Sequence, residues 1–273
     1  MPEVGEVHIL PGDAPDAAVV AALEHNWRAC VREFGLAPET SIRDDAELFW
    51  YVTGLPDAAF NSVMYANLTP DRLDAAVDEM RALRRQHRVP MNWLIGPTSR
   101  PINLPSQLRA RGLYYIADLV PLTLKLTDLR PGPSPPDGLT IERVEDTATL
   151  EEWIDAERGG FELTGELDRG ITILRRGMGP GDGTLRTHLL GRLDGWPVAT
   201  ASVLLAGGIG GIYDVSTMPV ARQRGIGTAM TRAALELIRA HDYQMVFLQA
   251  SAMGQRLYHR LGFRDRCTCA VYG

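Results

Sequence analysis

Apolar residues in this chain recur at two periods. Between 71 and 87 they fall at Leu73, Ala76, Val77, Met80 and Leu83, the spacing of one buried helix face, with Thr69-Pro70 as the start signal. The same spacing returns at Ile226, Met230, Ala233, Ala234 and Leu237. Elsewhere the period is two. Leu139 to Val144 alternates as a strand. His188 to Leu193 and Trp196 to Leu205 flank Asp194-Gly195 and predict a hairpin. Ile209 to Thr217 predicts a further strand. Val89 to Gly96 reads as another strand, and Met245 to Ala250 is apolar throughout, as in a buried parallel strand. Helices are expected over 147–160 and near 166–176, the latter inside a glycine-rich stretch, 161–183.

Punctuation divides this series near its middle. Pro131, Pro133, Pro135 and Pro136 allow neither a helix nor a central strand, so 131–138 reads as a linker between 1–130 and 139–273. Length fits one large or two small domains, at 273 residues with 45% hydrophobic content. The net charge of −6 argues against nucleic acid as the main partner. No run approaches a membrane span, and Met1 to Glu6 lacks the basic and apolar parts of a leader. The cysteines, Cys30, Cys267 and Cys269, are few and odd in number, so a reduced, cytoplasmic protein is the expectation. Oligomeric state is not legible.

The chemistry concentrates where the strand ending at Thr217 meets the helix at Ile226. Arg222-Gln223-Arg224-Gly225-Ile226-Gly227-Thr228 is a basic, glycine-bearing turn running into a helix start. Exposed N–H groups and the helix dipole at such a start bind phosphate oxygens. A Walker loop would need a lysine after the second glycine, and a dinucleotide fingerprint would need glycine where Met230 stands. The order Arg222-x-x-Gly225-x-Gly227 instead resembles the coenzyme A turn of the GNAT acyltransferase superfamily. Gly254-Gln255-Arg256-Leu257-Tyr258-His259-Arg260-Leu261-Gly262-Phe263 looks like that family's closing segment, a short helix ending at Leu-Gly-Phe before a last strand. The resemblance covers roughly 138–273. It implies an α/β (α+β) chain, a mixed central sheet flanked by helices, with acetyl-CoA as acyl donor. Two departures stand out: Ser251 where the family often has asparagine, and Gln223 where it often has a second glycine in the turn. In the first half, Leu104 to Leu113 parallels the Leu-Gly-Phe segment, with Leu108 at the tyrosine position and no glycine turn before the helix at 71. That half looks like a degenerate GNAT domain, which makes the chain a tandem.

The resemblance assigns coenzyme A to Val215, Ser216, Thr217, Arg222, Gln223, Arg224, Gly225, Ile226, Gly227, Thr228 and Ser251. Tyr258 matches a tyrosine that protonates the departing thiolate in many members; the bland reading is a packing tyrosine. Asp214, on the strand before the turn, is either a base or a structural strand aspartate. Its side chain and that of Ser216 are expected on the face opposite Val215 and Thr217. Glu162 and Glu166 lie in the segment resembling the substrate-covering helices, and either selects an amine or is merely solvated. The histidines show no metal spacing, and no metal is expected. Cys267 and Cys269 should share a face of the last strand as packing residues. Trp27, Trp50, Trp93, Trp153 and Trp196 default to core, and Arg84, Arg85 and Arg88 read as a solvated helix end in preference to an anion site. The activity implied is transfer of an acetyl group to an amine, a small molecule by default, by direct attack in a ternary complex. The alternatives are a non-catalytic coenzyme A sensor or interaction protein, an O-acyltransferase, or an enzyme using a longer acyl chain.

Overall fold

The computed structural model describes residues 8–181, 185–251 and 253–273; the Met1 to Glu6 stretch lies outside them. In chain order the elements are helix α1 (Asp16–Phe34), strands β1 (Ser41–Asp44), β2 (Phe49–Val52) and β3 (Asn61–Met64), α2 (Leu73–His87), β4 (Asn92–Ile95), α3 (Leu104–Ala110), β5 (Tyr115–Leu119) and β6 (Pro121–Lys125). After the linker come β7 (Leu139–Arg143), α4 (Thr147–Gly160), α5 (Gly165–Met178), β8 (Arg186–Leu193), β9 (Trp196–Ala206), β10 (Ile209–Thr217), α6 (Ile226–Ala240), β11 (Met245–Gln249), α7 (Gln255–Leu261), β12 (Arg264–Asp265) and β13 (Cys269–Tyr272).

Two compact units result, and each is discontinuous in sequence. One comprises Met1–Cys30, Pro121–Leu163 and Met178–Arg266; the other comprises Val31–Val120, Thr164–Gly177 and Cys267–Gly273. The first holds a seven-stranded sheet in the order β12-β6-β11-β10-β9-β8-β7. Only β10 and β11 run parallel there, as a crossover through α6 requires. The second holds a six-stranded sheet in the order β1-β2-β3-β4-β13-β5, with β3 and β4 as its parallel pair joined through α2. The tandem is therefore visible in the topology. β3, α2 and β4 repeat β10, α6 and β11, and Gly112 after α3 takes φ +81° where Gly262 after α7 takes +109°.

The linker does not divide these units, which differs from the 1–130 and 139–273 division. β6 precedes the linker yet lies between β11 and β12. β13 ends the chain yet lies between β4 and β5. Alternation in a strand tells which face is buried but names no partner, so this exchange has no local signature. The final strand of the closing segment is accordingly β12, two residues long, and Cys267 falls before β13, so the two thiols do not share a strand.

Core positions follow the expected faces. Leu73, Ala76, Val77, Met80 and Leu83 are the buried residues of α2, under Trp93, Leu104 and Leu108. In the first unit Ile226, Met230, Ala234 and Leu237 of α6 pack with Val246 and Leu248 of β11 and Tyr258 of α7. Asp194 and Gly195 both take positive φ, at 51° and 85°, as the tight hairpin turn demands. α4 begins in a capping box between Asp146 and Thr149. Trp153 and Trp93 are core, but Trp196 opens β9 at 76% exposed, which corrects its assignment to the core. Arg84, Arg85 and Arg88 are exposed at the end of α2.

Candidate active site

The turn between β10 and α6 has the form an anion requires. Pro219–Ala221 makes one 3-10 turn, and the chain swings through Gln223 at φ +59° and Gly225 at φ +83° into the helix. Ala229 N–H is the donor that bonds the Gly225 carbonyl, at 3.1 Å, so the N–H groups of Ile226, Gly227 and Thr228 precede the intrahelical ladder. No side chain caps this start. A Cβ at Gly225 would meet nothing within 4 Å, so the space ahead of the helix is open. Arg224 and Gln223 are exposed beside it. A pyrophosphate fits this cradle: among the described residues, donors without partners, the positive end of a 15-residue helix and the exposed Arg224 border open space. Gln223 carries a Cβ in the left-handed region, where glycine would be free of that strain.

Arg222 has another task. Its Nη2 donates to the Gly160 carbonyl at 2.8 Å, its Nε donates to the Thr217 carbonyl at 3.1 Å, and its Nη1 pairs with Glu162 Oε1 at 2.7 Å. The guanidinium fastens the turn to the end of α4 instead of offering its charge to solvent. Glu162, exposed and at φ +55°, is the partner of that clamp. Gly160 allows α4 to sit directly on β10, since a Cβ there would lie 2.3 Å from Ser216 Oγ. Ser216 is buried, with its Oγ 2.7 Å from Thr200 Oγ1. Val215 packs against the core, and Gly227 faces Leu257 of α7. Ser251 accepts the Gly254 N–H on its Oγ at 3.3 Å, within the turn before α7. Glu166 belongs to the other compact unit, on α5, and is not part of this cluster.

Asp214 sits in a β-bulge. The pairing of β10 with β9 shifts register between Tyr213 and Ser216, and Asp214 takes φ +53°. The bulge interrupts the expected alternation of Asp214 and Ser216 on one face. The carboxylate meets Arg186 Nη1 at 3.2 Å, with side-chain exposures of 14% and 2%. Arg186 also donates to Cys30 Sγ at 2.8 Å and lies over the Tyr213 ring at 5.2 Å. Nothing local in the sequence marks Arg186 as the partner of Asp214 or of Cys30: β8 also carries Thr187, His188 and Arg192.

Tyr258 is 7% exposed, edge-on to Phe263 with ring centroids 5.7 Å apart. Burial pushes its phenol up to about 12, partly offset by a hydrogen bond to the Thr231 side chain. Thr231 Oγ1 in turn donates to the Gly227 carbonyl at 2.8 Å. One threonine thus connects the tyrosine to the second glycine of the turn. Among the described residues no grouping of His, Cys, Asp and Glu is arranged to hold a metal. His188 instead meets Ser202 Oγ at 2.7 Å and packs against Trp153, the rings tilted by 47° with centroids 4.4 Å apart.

Known proteins resemble this chain in sequence and in fold. The model of the Acetyltransferase (GNAT) family matches residues 149–263. A mycothiol acetyltransferase of Tsukamurella paurometabola is 30% identical over 175 residues, which cover 56% of this chain and 58% of that protein. The match thus spans little more than half the length of this relative. Among solved structures, a GCN5-related N-acetyltransferase from Kribbella flavida superposes with a TM-score of 0.67 at 19% identity, covering 91% of this chain and 95% of that one. A tandem GNAT protein from the clavulanic acid biosynthesis pathway gives 0.61 at 15% identity, covering 98% and 97%. Acetyltransferases of this family take their acetyl group from acetyl-CoA. The turn, the parallel pair β10 and β11, and α7 all fall within the matched span, so residues 149–263 match the GNAT acetyltransferase family and the chain has a tandem GNAT fold.

Proposed function

We propose that the protein transfers the acetyl group of acetyl-CoA to the amine of a small molecule, the amine attacking while both substrates are bound. When bound, acetyl-CoA supplies the acetyl group as an activated thioester. The N–H groups of Ile226, Gly227 and Thr228, with Arg224, hold its pyrophosphate. Gln223, Gly225 and the Val215 to Thr217 edge line its path, and Arg222 with Glu162 keeps the turn fixed. Tyr258 holds a proton on its phenolic oxygen throughout the working pH range and is the donor for the departing thiolate. We assign Asp214 to the Arg186 pair and the bulge, and leave the acceptor's proton to water. Positioning accounts for most of the rate in such a scheme.

The observation that carries this reading is the uncapped start of α6, with open space before Gly225 and a hydroxyl path from Gly227 to Tyr258. The chain's net charge of −6 favours a cationic amine as the acceptor that encounters it. The test is thiol release from acetyl-CoA across a panel of small amines, alcohols and peptides. Release that rises only with amines supports the reading. Release with alcohols alone, or hydrolysis with none, rejects it.

A further inference from the structure

The second compact unit has a cavity of about 310 Å³ that owes nothing to the cofactor turn. The counterpart of that turn in this unit is the start of α2, after Thr69. The cavity lies past the other end of α2, at His87, Arg88 and Val89. A helix of 15 residues, about 22 Å, separates the two places. The volume is at the lower end of what small-molecule sites occupy.

Its charged groups are balanced and unspent. Glu39 and Glu166 face it with Arg88 and Arg169, and none of the four has a hydrogen-bond or ion-pair partner among the described residues. Thr40, also in the wall, has a buried Oγ1 with no partner. Glu39 and Arg88 both hold left-handed backbone, at φ +74° and +55°, a conformation that costs a residue with a Cβ and recurs at binding sites. The remaining wall is apolar: Leu55, Leu174 and Ile173, the last 56% exposed. α5 is seated hard against this wall, since a Cβ on Gly170 would lie 1.9 Å from Leu55 Cδ2. Arg88, at the solvated end of α2, thus also lines a cavity.

We propose that this cavity binds a free α-amino acid with an apolar side chain. Two guanidiniums suit a carboxylate and two carboxylates suit an ammonium, while Leu55, Ile173 and Leu174 receive the side chain. A phosphate-bearing ligand would meet Glu39 and Glu166, and a simple amine would leave Arg88 and Arg169 facing one another. The site is independent of the acetyl-transfer reading and lies outside the cofactor turn.

Calorimetry on the full-length protein tests it with L-leucine, leucinamide and N-acetyl-leucine. L-leucine should bind saturably, and each analogue, lacking one charge, should bind at least ~10-fold more weakly. Arg88→Asn and Glu39→Asn remove a charge with a residue that tolerates the left-handed region, and Glu166→Gln removes one from a helix. Each should weaken leucine by a similar factor with little change in melting temperature and none in coenzyme A binding. Saturating coenzyme A and the Gly225→Asp variant should leave leucine binding unaltered. No saturable binding of leucine up to its solubility would overturn the proposal. So would binding that survives all three charge variants, or that is lost in Gly225→Asp, which would place leucine at the acetyl acceptor's position instead.

Discussion

Arg222 Nη2 donates to the carbonyl of Gly160 at 2.8 Å, so the residue that reads from sequence as a phosphate ligand is the tie between the cofactor turn and α4. Arg222→Lys keeps the charge but loses the planar fork that serves Gly160, Thr217 and Glu162 together. We predict that the coenzyme A dissociation constant rises roughly tenfold, the worth of about one net hydrogen bond. A variant with unchanged affinity in a direct titration would show that the turn stands without the tie.

Arg186 and Asp214 form the buried pair of the bulge. Removing one partner of such a pair leaves an uncompensated charge, at a cost of about 3–5 kcal/mol. Asp214→Ala should therefore lose stability in chemical denaturation, and Arg186→Met in the same chain should recover part of it. If Asp214→Ala keeps wild-type stability and loses only turnover, the carboxylate acts on substrate and not on Arg186.

The exchanged strands make a prediction about the exposed linker. Cleavage between Pro131 and Asp137 leaves β6 on the N-terminal piece and β13 on the C-terminal piece, each a central member of a sheet otherwise built from the other piece. The two pieces of nicked protein should co-elute under native conditions and part in denaturant. For the same reason an isolated 138–273 fragment lacks the β11 partner strand and should fold poorly. Pieces that separate freely without denaturant would contradict the topology.

These cases mark where the sequence is legible. The helix of Leu73 to Leu83 and the turn at Gly225 announce themselves because period, start signal and glycine act locally. Leu122 and Leu124 of β6 carry an equally buried pattern, yet nothing local says that they lie beside β11. Arg186 and Cys30 meet across 156 positions, and Arg222 reaches Gly160 across 62, so neither pairing leaves a spacing to read. Glu162 and Glu166 read together because both lie in the segment resembling the substrate-covering helices, but α5 carries Glu166 in the other unit.

Tyr258→Phe separates packing from proton transfer. The ring and its contact with Phe263 remain, so coenzyme A affinity and the melting temperature near neutrality should hold. Turnover and kcat/KM should fall together by about 10–100-fold, the low end for a general acid that water partly replaces. There is an alkaline signature as well. The folded phenol sits up at about 12 against an ordinary value of 10, so the folded state keeps its proton more tightly. Its contribution is intact below about pH 10 and is lost as pH rises toward 12, by about 2–3 kcal/mol at roughly 1.4 kcal/mol per unit. Denaturant titrations from pH 9 upward should show a shallower decline in the variant, and full activity in it would remove the hydroxyl from the mechanism.

On this reading the start of α6 holds the pyrophosphate of one coenzyme A per chain. Calorimetric titration of coenzyme A into the full-length protein, Gly225→Asp and Gly225→Asn tests it most directly. Both substitutions bear the same left-handed strain at φ +83° and enter open space, so they differ chiefly in charge. We predict one site per chain in the wild type, affinity within a few-fold in the asparagine variant, and no measurable binding in the aspartate variant. Two sites per chain, or an aspartate variant that binds as tightly as wild type, would contradict the account.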